Sequence, residues 1–255
     1  MSAALELAGV SASYGPFNAL FGVSLTVGPG EAVALLGANG VGKTTVARVA
    51  TGLIAPAKGT VHVDGVDMTG NQTYQFARSG VAHATEGRSV FATLSVEDNL
   101  ALSFRQTKGR RGIADALDEA FTLLPALARC RGQVAGSMSG GEQRMLSMAR
   151  VLVEKPKLLV ADELSLGLAP IIVDEIYLHL ERLRTAGTAM LIVEQQVAHA
   201  LDLCDRAVLL DHGAVSWEGP AAEAGSIIST RVFEHAAAEP TMPRPSPGSA
   251  RLAEN

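Results

Sequence analysis

Residues 37–44 read Gly37-Ala38-Asn39-Gly40-Val41-Gly42-Lys43-Thr44, with Thr45 next, and satisfy the spacing G-x-x-x-x-G-K-[ST] in full. Upstream, Ala32–Leu36 is an unbroken apolar run that ends at glycine, the pattern of a buried strand feeding a tight loop. Downstream, residues 44–51 carry a helical pattern, and Gly52 is the expected stop. Strand, glycine loop and helix in that order form the context in which this spacing carries chemistry. Glycines let the backbone fold tightly and turn its N–H groups inward, making a nest for phosphate oxygens. The start of the following helix adds partial positive charge. Lys43 is then placed to reach the β- and γ-phosphates of a nucleotide, and the Thr44 hydroxyl to ligate Mg²⁺.

Further along, Leu158-Leu-Val-Ala-Asp162-Glu163 is an apolar strand that ends in two carboxylates. Neighbours on a strand point to opposite faces, so the pair is expected to divide its labour. Asp162 would hold Mg²⁺ through water, and Glu163 would align and deprotonate an attacking water. Between these two stretches lies Met138-Ser139-Gly140-Gly141-Glu142, ahead of an amphipathic helix at residues 142–153. Its plain reading is a helix cap, with Ser139 accepting from loose backbone donors. The same helix start is also an anion site.

The rest of the chain supplies the frame. Residues 5–33 and the run GTVHVDG read as short β segments broken by turns. A helical lobe is expected at about residues 88–155, with helices at 96–104, 114–124 and 142–153. Strands at 158–161, 189–193 and 207–210 then alternate with helices at 171–185 and 196–203, which argues a parallel sheet with crossovers. Residues 239–255 carry four prolines and little apolar content, so a disordered tail is expected there.

The order of glycine loop, Ser-Gly-Gly helix start and acidic strand end resembles the nucleotide-binding subunits of ABC transporters, over about residues 3–235. The resemblance implies an α/β P-loop NTPase of the ABC-type ATPase fold. Its parts would be a mixed sheet core, an antiparallel β subdomain and an inserted helical lobe, all within residues 1–238. It implies ATP and Mg²⁺ as ligands, with two ATP molecules sandwiched between two subunits arranged head to tail. Gly37, Ala38, Asn39, Gly40, Val41, Gly42, Lys43, Thr44 and Thr45 of one subunit would hold each nucleotide. Ser139, Gly140, Gly141 and Glu142 of the other would grip its γ-phosphate. Tyr14, in SASYG, matches the aromatic that stacks on adenine.

Departures from the common pattern narrow the branch. Glu86, in Thr85-Glu86-Gly87-Arg88, stands where most members have glutamine, and Gln195 stands where most have histidine. The run Ser165-Leu-Gly-Leu-Ala-Pro170 lacks the usual aspartate. These segments resemble the smaller ATPase of branched-chain amino-acid uptake systems, and related urea and amide importers share them. By that resemblance Lys43, Glu163, Gln195 and Glu86 are the catalytic set, and Thr44, Asp162 and Glu86 the Mg²⁺ set. Gln195 can donate and accept a hydrogen bond but cannot carry a proton. Leu164 occupies a position where that branch usually has proline.

The implied partners are integral-membrane permease subunits, a second ABC ATPase subunit (identical or related) and, indirectly, an extracytoplasmic solute-binding protein. The implied location is cytoplasmic, peripheral on the inner face of the membrane. Composition agrees. The 255-residue chain has a net charge of −5, which gives no electrostatic footprint for nucleic acid, and its two cysteines form no CxxC pair.

Overall fold

The computed structural model describes residues 2–85 and 89–228. Glu86 and the proline-rich segment 239–255 lie outside the described residues.

The chain opens with a hairpin of β1 (Leu5–Tyr14) and β2 (Phe17–Val27), followed by β3 (Ala32–Leu36) and α1 (Lys43–Ala50). Next come β4 (Lys58–Val63), β5 (Val66–Asp67), α2 (Thr73–Arg78) and β6 (Val81–Ala84). The lobe follows as α3 (Val96–Thr107), α4 (Ile113–Leu123), α5 (Pro125–Arg129) and α6 (Gly140–Glu154). The chain returns through β7 (Leu158–Asp162), α7 (Pro170–Thr185), β8 (Ala189–Glu194), α8 (Val197–Leu203), β9 (Arg206–Asp211) and β10 (Ala214–Pro220).

Two sheets result. An antiparallel sheet runs β2-β1-β4-β5, and a six-stranded sheet runs β10-β9-β3-β8-β7-β6. In the larger sheet β9, β3, β8, β7 and β6 are parallel and β10 is antiparallel, so the expected mixed core is present. Strands β3, β7 and β8 are buried at every residue, as a parallel sheet covered on both faces requires.

Alternation along β3 assigns those faces. Val33 and Leu35 pack with α1 and the antiparallel sheet, whereas Ala32, Ala34 and Leu36 pack with the helices of the lobe and α7. The anticipated apolar face of α6 is realised: Met145, Met148, Ala149, Leu152 and Val153 are all buried. Leu146, on the same helix, is fully buried, and its truncation to alanine should cost about 2–5 kcal/mol.

Register decides where the loops meet. Leu36 pairs with Glu194 across β3 and β8, and Asp162 pairs with Val193 across β7 and β8. The carboxyl ends of these three strands therefore lie level, where a parallel sheet presents its ligand crevice. The expected helices appear within a few residues of their anticipated bounds. Elements β5, β6, β10, α2 and α5 carry no sequence expectation, because each is short or interrupted and has no clear period.

Candidate functional site

The glycine loop leaves β3 at Leu36 and is shaped by residues that only glycine suits. Gly42 caps α1 at a φ of 106°, and a Cβ there would stand 2.8 Å from the Ala19 carbonyl oxygen. Gly37 is equally confined, since a Cβ would collide with the Leu210 carbonyl. No side chain caps α1, and no acidic residue sits in its first turn. Its leading N–H groups are thus left for an anion. Ala38, Asn39 and Gly40 form the exposed crest of the loop, while Gly37, Val41 and Gly42 are half-buried.

Lys43 is 4% exposed, and its Nζ donates to the carbonyls of Gly37 (2.9 Å) and Ala38 (3.0 Å). It lies 3.8 Å from Glu163 Oε1. Burial pulls its pKa below the usual lysine value, and the carboxylates of Glu163, Asp162 and Glu194 oppose that pull. The ammonium thus sits in an acidic setting, curled over the space a phosphate would take.

Thr44 Oγ1 donates to Asp162 Oδ1 at 3.3 Å. These are two hard oxygen donors, one a carboxylate only 2% exposed. No cluster of three or more acidic, histidine or cysteine ligands exists among the described residues. Such a sparse set fits Mg²⁺, which takes one or two protein oxygens and completes its shell with phosphate and water.

The division between Asp162 and Glu163 has a different origin from the one expected. Asp162 closes β7, but Glu163 lies beyond the strand with a φ of 49°, so a left-handed backbone turn, not strand alternation, separates the two carboxylates. The Glu163 N–H donates to Val193 O at 2.9 Å. Its carbonyl accepts from Arg144 Nη2 at 2.7 Å, and Arg144 also donates to the Thr85 carbonyl. Leu164 is buried in the core.

Gln195 is exposed and follows β8 directly, one residue beyond the Leu36–Glu194 pair, as Gly37 is on β3. Tyr14 is 42% exposed; its hydroxyl accepts from Arg48 at 3.0 Å and lies 3.5 Å from Thr45 Oγ1. It helps line a cleft of about 440 Å³ with Thr44, Arg48, His83, Thr85 and Asp162. Glu86 follows the last described residue of this wall.

The structure does not bring the segment 139–142 to that cleft, and none of its residues lines it. Instead Ser139 caps α6 in a reciprocal box, with Ser139 Oγ accepting from Glu142 N at 3.3 Å and Glu142 Oε2 from Ser139 N at 2.8 Å. The Ser139 N–H, then its hydroxyl, hold the Glu142 carboxyl below the usual carboxylate range. The box uses the N–H groups of Ser139 and Glu142, and those of Gly140 and Gly141 point out of the helix start.

Arg144, Ser165 and Glu194 were missed by sequence reasoning. A signal existed for Glu194, which ends the apolar run Ala-Met-Leu-Ile-Val-Glu as Asp162 ends its own. Arg144 stands one residue before the apolar Met145-Leu146 pair, and only tertiary contacts reveal its reach.

Residues 20–165 match the ABC transporter family. The high-affinity branched-chain amino acid transport ATP-binding protein BraG of Pseudomonas aeruginosa is 42% identical over 207 residues, spanning 81% of this chain and 88% of that protein. The lipopolysaccharide export system ATP-binding protein LptB of Escherichia coli is 35% identical, spanning 79% of this chain and 84% of that one. A nucleotide-free ATP-binding cassette from an ABC transporter superposes with a TM-score of 0.78 at 25% identity, covering 91% of this chain and 98% of its own.

Proposed function

Since the chain belongs to the ABC transporter family and is an ATPase of that family, we propose that it drives the import of branched-chain amino acids by closing on ATP with a second such subunit. The observation that carries this reading is the meeting of loop and acidic strand end: Thr44 to Asp162 at 3.3 Å beside Lys43 to Glu163 at 3.8 Å. The similarity to BraG supports the solute class.

In this reading the uncapped start of α1 and the loop N–H groups cradle the phosphates, and Tyr14 faces the adenine. Lys43 exchanges its carbonyl partners for β- and γ-phosphate oxygens. Glu163 orients a water for in-line attack and takes its proton. Gln195 flanks the terminal phosphate, and the family resemblance gives Glu86 a part in the same chemistry. Thr44 and Asp162 would hold Mg²⁺, which neutralises charge on the β- and γ-oxygens when bound. Ser139, Gly140, Gly141 and Glu142 of the paired subunit cover the γ-phosphate. ATP thereby favours the closed pair and hydrolysis releases it, a two-state element biased by ligand.

Among the described residues no helix is long and apolar enough to cross a membrane. We place the chain on the inner face of the membrane, held there by a permease that grips the lobe near residues 86–99. An extracytoplasmic binding protein would deliver the solute.

Hydrolysis by Glu163→Gln within the assembled transporter tests the site: the expected loss lies within roughly 10²–10⁴-fold, and an unchanged rate would make this site dispensable. The similarity to LptB favours one second reading, an ATPase serving export. Leucine uptake into vesicles holding the reconstituted transporter separates the two.

A further inference from the structure

Glu163 adopts a backbone conformation that non-glycine residues take only when their surroundings impose it, at a φ of 49°. A proline after it would stiffen the turn, but residue 164 is leucine. Something else must hold the turn, and the buried groups around it supply the answer.

Glu194 is 1% exposed, and its carboxylate accepts from Ser165 N at 3.0 Å (Oε1) and from Ser165 Oγ at 2.8 Å (Oε2). Ser165 lies two residues beyond Glu163 and is itself buried. The preceding residue of the same strand, Val193, accepts the Glu163 N–H. The end of β8 therefore grips the turn at two points, on either side of Leu164. Among the described residues Lys43 and Tyr177 feel this carboxylate: it opposes the effect of burial on Lys43, and burial first, then Glu194, raises the Tyr177 hydroxyl. A carboxylate this deeply buried is costly unless its hydrogen bonds are met, and Ser165 meets one on each oxygen.

We propose that Glu194 is a positioning residue that sets the Glu163 carboxylate through Ser165, replacing the stiffness a proline would give. The inference rests on the reading of Glu163 as the group that activates water. Because Glu194 immediately precedes Gln195, one side chain also ties together the two loops that meet the reacting phosphate. Movement of either loop is then felt by the other.

The test is steady-state ATP hydrolysis by the full chain in its assembled transporter. Glu194→Ala, Glu194→Gln and Ser165→Ala are each measured alone and with Glu163→Gln. Misplacing a reacting group by about 1 Å costs roughly 10²-fold, so Glu194→Ala should lower kcat by about that factor, with KM for ATP changed less than about twofold. Glu194→Gln keeps an accepting oxygen and should recover to within about tenfold of the unmodified rate, since one charge-assisted bond is weakened. Ser165→Ala removes one arm only and should lose about tenfold; it carries the test if Glu194→Ala does not fold. In the Glu163→Gln background Glu194→Ala should add no further loss, as expected of residues acting as one unit. An equal additional loss in that background, or a raised KM with kcat intact, would overturn the proposal. Full activity of Glu163→Gln alone would instead remove the reading of Glu163, and the role of Glu194 with it.

Discussion

Two helix starts built on glycine are finished in opposite ways. Helix α1 begins at Gly42 with no side-chain cap, and a buried lysine is folded back on the loop's own carbonyls. Helix α6 begins at an exposed serine that closes a reciprocal box with Glu142. The first start is incomplete without an anion. The second is satisfied by its own side chains and has only the N–H groups of Gly140 and Gly141 to offer. In the proposed pairing the cleft therefore binds ATP by itself, and the α6 tip adds a contribution that matters only when another subunit presents its nucleotide.

The sharpest way to break this comparison is to damage each start in turn. Lys43→Ala should lower turnover by roughly 10²–10³-fold, the cost of losing one donor aimed at developing charge. Titration calorimetry should show ATP affinity falling with it. Ser139→Arg fills the tip with a large side chain and removes the cap; it should abolish cooperative hydrolysis while leaving ATP affinity of the isolated chain within about twofold, since Ser139 touches nothing in its own cleft. A matching fall in the isolated chain's affinity would erase the distinction between the two starts. Tyr14→Ala should weaken ATP binding by roughly tenfold, within the range for loss of one aromatic–base stack.

The smallest effect concerns pH. His83 lines the cleft, its Nδ1 lies 3.3 Å from Thr51 Oγ1, and burial, with the charge of Arg48 adding, pushes its ring down to about 4. Thr51 already donates to the Ala47 carbonyl, so its oxygen accepts from His83, and the buried Nε2 is left as a bare acceptor. The unfolded chain takes up this proton near 6.5 and the folded chain only near 4. The stability tied to neutral His83 is therefore complete above about 6.5 and is lost as pH falls toward 4. Urea midpoints should decline over that window, and His83→Gln should flatten the decline. Glu142, at the tip, is also depressed, but from a carboxylate's ordinary value, so its contribution persists to lower pH. Mild acid should loosen the cleft before the tip.

Much of this contrast was legible in the sequence, because both helix starts are local. A glycine loop between strand and helix, or a serine three residues before a glutamate, is fixed by residues close together in the chain. The acidic strand end was legible for the same reason. What escaped was everything that depends on register. The left-handed turn at Glu163 arises where β7 runs out beside Val193, not from any local preference of glutamate. Arg144 reaches Glu163 across 19 residues, and Glu194 reaches Ser165 across 29. Strand β6 escaped because Val-Ala-His-Ala is too short to show a period, and only its pairing with β7 makes it a strand.

The most direct test of the account is whether ATP joins the two starts. Sedimentation of the Glu163→Gln chain, alone and mixed with its cognate ATPase subunit, would be compared with and without Mg-ATP. Nucleotide should double the mass in at least one sample, and Ser139→Arg, with the matching change in the cognate subunit, should prevent it. An unchanged mass in both samples, with ATP demonstrably bound, would contradict the account.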